Sequence, residues 1–164
     1  MSKNKKSSVL INISKQRLKL IDNDVIIQEY SISTSRFGIG NKAGSCKTPL
    51  GLHKICEKIG KDAPLGAIFK ARKNTGEIAE FEVENPYNDD LITTRIIRLT
   101  GLQDGVNKGE GIDSSKRYIW IHGTAEEKKI GKPASHGCIR MKNEDIIELF
   151  DNVRVGTEVV IVKK

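Results

Sequence analysis

VLINISKQRLKLIDNDVIIQEYSIS, residues 9 to 33, decides the fold class. Aliphatic and β-branched residues cluster or alternate in three runs, 9–13, 17–21 and 25–33, separated by Ser14-Lys15 and by 22–24. Short runs of this kind between polar turn residues read as strands. Asn23-Asp24 supplies residue types that tolerate a tight turn, so the second and third runs read as a hairpin. Outward from this block, residues 37–51 are rich in Gly, Ser, Lys and Pro and read as a long loop, either a flap over a substrate carboxylate or a solvated connection. Further strands are expected at 52–58 and 67–71, with 60–66 between them and a turn at 85–90. The β-prone runs 94–100 and 118–122 flank a glycine-rich loop, 101–116. One helix stands out after Cys138. Asn143 is its expected cap, Glu144 and Asp145 suit its N-terminal dipole, and Ile146, Ile147 and Phe150 share a face. It stops before 153–156, and 157–162 is a last strand. The reading is mostly β, one domain over 1–164 with its core at about 8–163, and one clear helix after the cysteine.

The chain carries 28 Lys and Arg against 21 Asp and Glu, a formal net charge of +7. This balance favours anionic partners. The lysines are scattered and no aromatic run accompanies them, which argues against a nucleic-acid platform. The N-terminal apolar run is short, is interrupted by Asn12 and lacks a small-residue cleavage site, so no signal peptide is read. No stretch has the length of a membrane span. The expected location is the cytosol, with the periplasm or cell envelope as the alternative. Three cysteines, Cys46, Cys56 and Cys138, do not suggest a disulfide framework.

The chemistry lies in IWIHGTAEEKKIGKPASHGCIRM, residues 119 to 141. It holds two of the three histidines and one cysteine. His122 closes an apolar strand, and His136 and Cys138 flank Gly137. A nucleophilic thiol needs a base or positive charge nearby, open access and donors for an oxyanion. An imidazole, the Gly137 and Cys138 N–H groups and Arg140 can meet these needs. In an extended chain His136, Cys138 and Arg140 project to one side, and the following helix lends a positive dipole end. Zinc is a weaker reading, because a structural site wants four ligands in paired spacings. Cys46, His53 and Cys56 match no such pattern. Residues alone leave open which histidine is the base.

His122, twelve residues and then Ser135-His136-Gly137-Cys138 resemble the signature of the L,D-transpeptidase catalytic domain, the YkuD domain. Ser33-Thr34-Ser35-Arg36 and Lys47-Thr48-Pro49-Leu50-Gly51 resemble its earlier segments, with departures at Ser35 and Arg140. The resemblance implies a curved sheet closing toward a sandwich or barrel, with the active site in a groove. It implies attack on the amide between the L-centre of a diamino acid and a terminal D-alanine in a peptidoglycan stem peptide. Cys138 would form a thioester, resolved by an amine of a second stem or by water. His122 would be the base, held by a carbonyl such as that of Gly123, and His136 would assist substrate or oxyanion. Gly137 and Cys138 N–H would hold the oxyanion, and Arg140 would meet a substrate carboxylate.

Ser135 is a candidate substrate contact, with turn chemistry preferred. Arg95 is expected either to line the groove or to stand in solvent on an edge strand. Cys46 and Cys56 read as bystanders. No metal and no cofactor is implied, and Gly38-Ile39-Gly40 lacks the rest of a phosphate-loop pattern. The alternatives to a transpeptidase are a cytosolic L,D-carboxypeptidase acting on recycled muropeptides and a non-catalytic, basic peptidoglycan-binding module. The oligomeric state is not legible.

Overall fold

The computed structural model describes residues 7–82 and 90–164. Among the described residues ten strands make one sheet: β1 (Ser7–Asn12), β2 (Arg17–Asp22), β3 (Val25–Ser33), β4 (Gly51–Ile59), β5 (Ala67–Lys70), β6 (Lys73–Ile78), β7 (Ile92–Gly101), β8 (Trp120–Gly123), β9 (Ile139–Met141) and β10 (Glu158–Val162). Their order is β4-β10-β1-β2-β3-β9-β8-β7-β5-β6, and β7 also pairs with β4. That last pairing closes eight of the strands into a barrel, and β5 and β6 continue from β7 as a ribbon. The sandwich-or-barrel expectation therefore resolves to a barrel. Closure leaves the ring with no exposed edge strand.

Alternation builds the core. Val9 and Ile11 on β1 face inward beside Leu18 and Leu20 on β2 and Val159 and Ile161 on β10. Asn23 and Asp24 take φ of 48° and 65°, the left-handed pair that a two-residue hairpin turn demands. The helix α1 (Asn143–Asn152) lays Ile146, Leu149 and Phe150 on the same core. Ile147, expected on that face, is half-buried, and Leu149 takes its place. Asn143 is the first helical residue rather than the cap. Lys142 holds the cap position without a side-chain bond.

Three elements differ from the sequence reading. β6 was not expected, because KNTGEI is exposed throughout and has no buried face to create an alternation. β9 is three residues long and lies inside the cysteine segment. The run 67–71 ends at Lys70, since Ala71 and Arg72 turn with φ of 49° and 65°. Of the turn expected at 85–90, residues 85–89 lie outside the described residues. Among the described residues no helix is long and apolar enough to cross a membrane.

Candidate active site

β8 and β9 run parallel as neighbours, with Ile121 beside Ile139 and His122 beside Arg140. Successive side chains of a strand point to opposite faces. Ile121, Ile139 and Met141 enter the barrel core. Trp120, His122 and Arg140 therefore share the other face. Cys138, one residue ahead of β9, packs there against the cluster of Ala67, Phe69, Ile96 and Trp120. Sixteen residues apart in sequence, His122 and Cys138 reach one face because their strands adjoin.

Cys138 donates its thiol proton to the Tyr118 carbonyl at 3.2 Å and accepts the Trp120 N–H at 3.4 Å. Tyr118 has φ of 55°, which turns its carbonyl to that position. Burial pushes the thiol up to about 12. The Trp120 N–H, Arg117 and Arg140 pull it down, while Asp90 adds to the rise. The resting group is a thiol, not the thiolate expected from neighbouring charge. The helix dipole does not offset this. β9 stands between Cys138 and α1, and four extended residues span roughly 13 Å, beyond the reach of a dipole's first turn.

His122 is fully buried, with Nδ1 2.7 Å from the Gly123 carbonyl. A carbonyl only accepts, so Nδ1 carries the proton and Nε2 presents its lone pair. Burial holds the imidazole below its ordinary pKa; Asp90 and the Gly123 carbonyl oppose this, and Arg140 adds to it. His122 is thus neutral near pH 7. Gly123 has no room for a side chain, since a Cβ would stand 2.6 Å from the Thr93 carbonyl.

His136 differs. It is exposed, its Nε2 accepts from Arg36 Nη2 at 3.1 Å, and its Nδ1 lies 4.0 Å from Asp90 Oδ2. Nε2 is thus occupied, whereas Nδ1 has a carboxylate nearby but beyond hydrogen-bond distance. The extended-chain picture holds for Cys138 and Arg140 but not for His136, because Gly137 turns the chain with φ of 129°.

Arg140 corrects an expectation. It is 2% exposed and binds Thr124 Oγ1 at 2.6 Å and Glu126 Oε1 at 2.9 Å. Asp90 Oδ1 stands 3.3 Å from its Nε, an ion contact without hydrogen-bond alignment. A buried guanidinium so enclosed holds the β8–β9 connection together and does not reach a substrate carboxylate. Arg95 is corrected as well. It neither lines the groove nor stands in solvent. Its Nη1 donates to the Ala63 and Thr94 carbonyls, and its guanidinium lies 5.5 Å from the Phe150 ring centroid. It therefore faces α1, whereas the next residue, Ile96, joins the cluster against which Cys138 packs.

Ser135 is fully buried within the turn. Its Oγ accepts the Gly137 N–H at 3.2 Å and donates to the Cys138 carbonyl at 2.6 Å. It is a turn residue, not a substrate contact. Gly137 N–H must leave Ser135 to meet an oxyanion. Thr48 buttresses the same turn, donating to the Gly137 carbonyl at 2.9 Å while accepting the Ser35 N–H at 3.0 Å. The early block and the cysteine segment are thus one unit. Ser35 uses its hydroxyl on the Cys46 carbonyl.

The loop 37–51 is pinned rather than free. Asn41 binds the Leu50 and Val106 carbonyls, and Arg117 binds the Gly40 and Lys47 carbonyls at 3.3 and 2.6 Å. It forms a wall beside Gly137, whose Cβ position lies 3.4 Å from the Lys47 carbonyl. Cys46 is exposed on this wall, and Cys56 lies on β4.

Sequence reasoning missed Asp90, Arg117 and the work of Asn143. Asn143 donates to the Thr124 carbonyl and Glu127 and accepts from the Thr93 and Thr94 hydroxyls, tying α1 to β7 and to the residue after β8. A polar residue at a helix start reads as a cap from sequence, and only the fold turns it inward. Among the described residues no cluster of three His, Cys, Asp or Glu side chains could hold a metal ion.

The L,D-transpeptidase catalytic domain (YkuD) matches residues 6–161. YqjB of Bacillus subtilis, whose name assigns it to the L,D-transpeptidases, is 49% identical over 45 residues, 27% of this chain and 26% of that protein. Among solved structures, an L,D-transpeptidase from Mycobacterium smegmatis aligns with TM-score 0.60 at 13% identity, over 96% of this chain and 59% of that one. L,D-transpeptidase 3 from Mycobacterium tuberculosis, solved with a faropenem-derived adduct, aligns with TM-score 0.60 at 16% identity, over 96% and 60%. The chain thus spans about a quarter of that curated relative and about three fifths of the solved chains. The match over nearly the whole sequence and the barrel that carries it agree: the chain belongs to the L,D-transpeptidase catalytic domain family, YkuD.

Proposed function

We propose that the chain catalyses cysteine-dependent acyl transfer on peptidoglycan stem peptides, with Cys138 as nucleophile and His122 as general base. The observation that carries this reading is the pairing of a protonated, desolvated thiol with a buried, neutral imidazole on one face of adjacent strands. A thiol this hard to ionise needs its proton removed as it attacks, and a neutral base with a free lone pair suits that step.

The Cys138 Sγ–H proton passes to His122 Nε2 as Sγ attacks the carbonyl carbon of the L-centre–D-alanine amide. The oxyanion collapses, the C–N bond breaks, and His122 returns the proton to the departing D-alanine amine. A thioester remains. An amine from a second stem attacks the thioester and loses its proton to His122; the C–S bond breaks to give the cross-link, and His122 returns that proton to Cys138 Sγ. His136 and Arg36 stand beside the turn that carries Cys138.

The test is mass spectrometry of the protein incubated with a disaccharide tetrapeptide ending in D-alanine, with Cys138→Ala as control. A cross-linked dimer formed only by the native chain is expected. Loss of D-alanine alone would make water the acceptor and the chain an L,D-carboxypeptidase, the reaction expected of a cytosolic form. No change with either protein would return the chain to a binding module.

A further inference from the structure

The burial of Arg140 leaves open what receives the anionic groups of a substrate. A pocket of about 630 Å³ opens between the start of the wall loop, at Gly38 and Ile39, the β1–β2 turn and residues 131–133 ahead of the Ser135–Cys138 turn. Its size suits part of a peptide. Ile13 and Ile39 supply apolar lining, and Lys15, Arg36, Lys132 and Lys163 supply four cations. No carboxylate among the described residues lines it. These cations come from separate segments: the β1–β2 turn, the stretch after β3, the approach to the turn and the stretch after β10. The fold brings them together. A concave site with one sign of charge concentrates the opposite sign.

The pocket is joined to the reacting centre through Arg36. Its N–H donates to the Ser135 carbonyl at 2.9 Å and its Nη2 to His136. Ser35 and Ser135 bridge the same two segments. The pocket therefore shares Ser35 and Arg36 with the contacts that hold the cysteine turn. We propose that this pocket is an anion subsite that takes carboxylates of the stem peptide remote from the scissile amide. It selects stems whose carboxylates are free over stems in which they are amidated. The assignment rests on the acyl-transfer reading for its ligand but on the pocket alone for its charge preference.

Two synthetic stem peptides, identical except that the remote carboxylates are free or amidated, test it by calorimetry on Cys138→Ala protein, which binds without turnover. About tenfold tighter binding of the free acid is expected, the scale of a few exposed charge pairs. That ratio should fall toward one in Lys15→Gln/Lys132→Gln/Lys163→Gln on the same background, and in high salt. Equal affinities for the two peptides, or a preference kept in the triple variant, overturn the subsite. Far-UV circular dichroism and the melting temperature check that the triple variant is folded. Acylation of the native chain by the same peptides, read by mass, reports on the acyl-transfer reading separately. Its absence sinks that reading and leaves the binding ratio to decide the subsite.

Discussion

His53 on β4 and His122 on β8 occupy nearly the same surroundings. Both are buried, both give Nδ1–H to a glycine carbonyl, at 3.0 and 2.7 Å, and burial holds both below the ordinary imidazole value. They differ at Nε2. That of His53 accepts from Ser114 Oγ at 2.8 Å, whereas among the described residues nothing bonds that of His122. Burial and tautomer alone therefore do not make a base. The second nitrogen must be left for the reaction, and the fold must set a nucleophile on the same face.

The largest effect should come from exchanging each ring for an amide. His122→Gln is expected to slow Cys138 acylation by about 10²- to 10⁴-fold, the usual worth of a positioned base. His53→Gln should leave the rate close to native. Single-turnover mass measurements compare them, and similar losses in both would erase the distinction. Next, Arg140→Ala is expected to destabilise the fold by about 3–5 kcal/mol, as when one partner leaves a buried ionic cluster. Arg140 also helps hold the His122 imidazole down, so the acid limb of kcat/KM should move to higher pH in this variant. If KM alone changed, Arg140 would be a substrate contact after all.

Third, the two rings should make the fold sensitive to mild acid. His53 is lowered to about 4, so the folded chain resists a proton that the unfolded chain accepts near 6.5. Stability from this group is complete above about pH 6.5, declines as pH falls toward 4, and is level below; the total is roughly 3 kcal/mol. His122 pulls in the same direction. Denaturant titrations across this range should show a shallower decline in His53→Gln. The smallest effect is expected from Ser114→Ala, which gives His53 the same bonding as His122. It should cost about 1–2 kcal/mol for an unpaired buried acceptor and confer no second reactive site. Iodoacetamide labelling and unfolding curves check both halves.

The sequence was most informative where one residue type has one use. Alternation at Val9, Ile11, Leu18 and Leu20 marked the first strands, and Asn23-Asp24 marked their turn. Cys138 and His122 stood out by the spacing that resembles the family signature, and the fold brings them to one face of adjacent strands. Electrostatics were less legible. The thiol's ionisation depends on burial against a cluster drawn from β5, β7 and β8, which no local pattern shows. Arg140 looked like an anion contact because its partners, Asp90, Thr124 and Glu126, are distant in sequence or unremarkable there. Asn143 and Arg95 were misread for the same reason: each is a polar residue whose surroundings are made only by tertiary packing.

The placement of β10 sets the order in which the protein can be assembled. β10 lies between β1 and β4, pairing residues about 150 apart with the first strand. The β1–β2–β3 meander can form as soon as it is synthesised, but its outer edge and that of β4 have no partner until β10 arrives. Contacts so remote in sequence form slowly, because a long loop must close before they are rewarded. During that interval an open strand edge invites pairing with other chains. The ring therefore closes last, and the chain's greatest exposure to aggregation falls just before β10 docks.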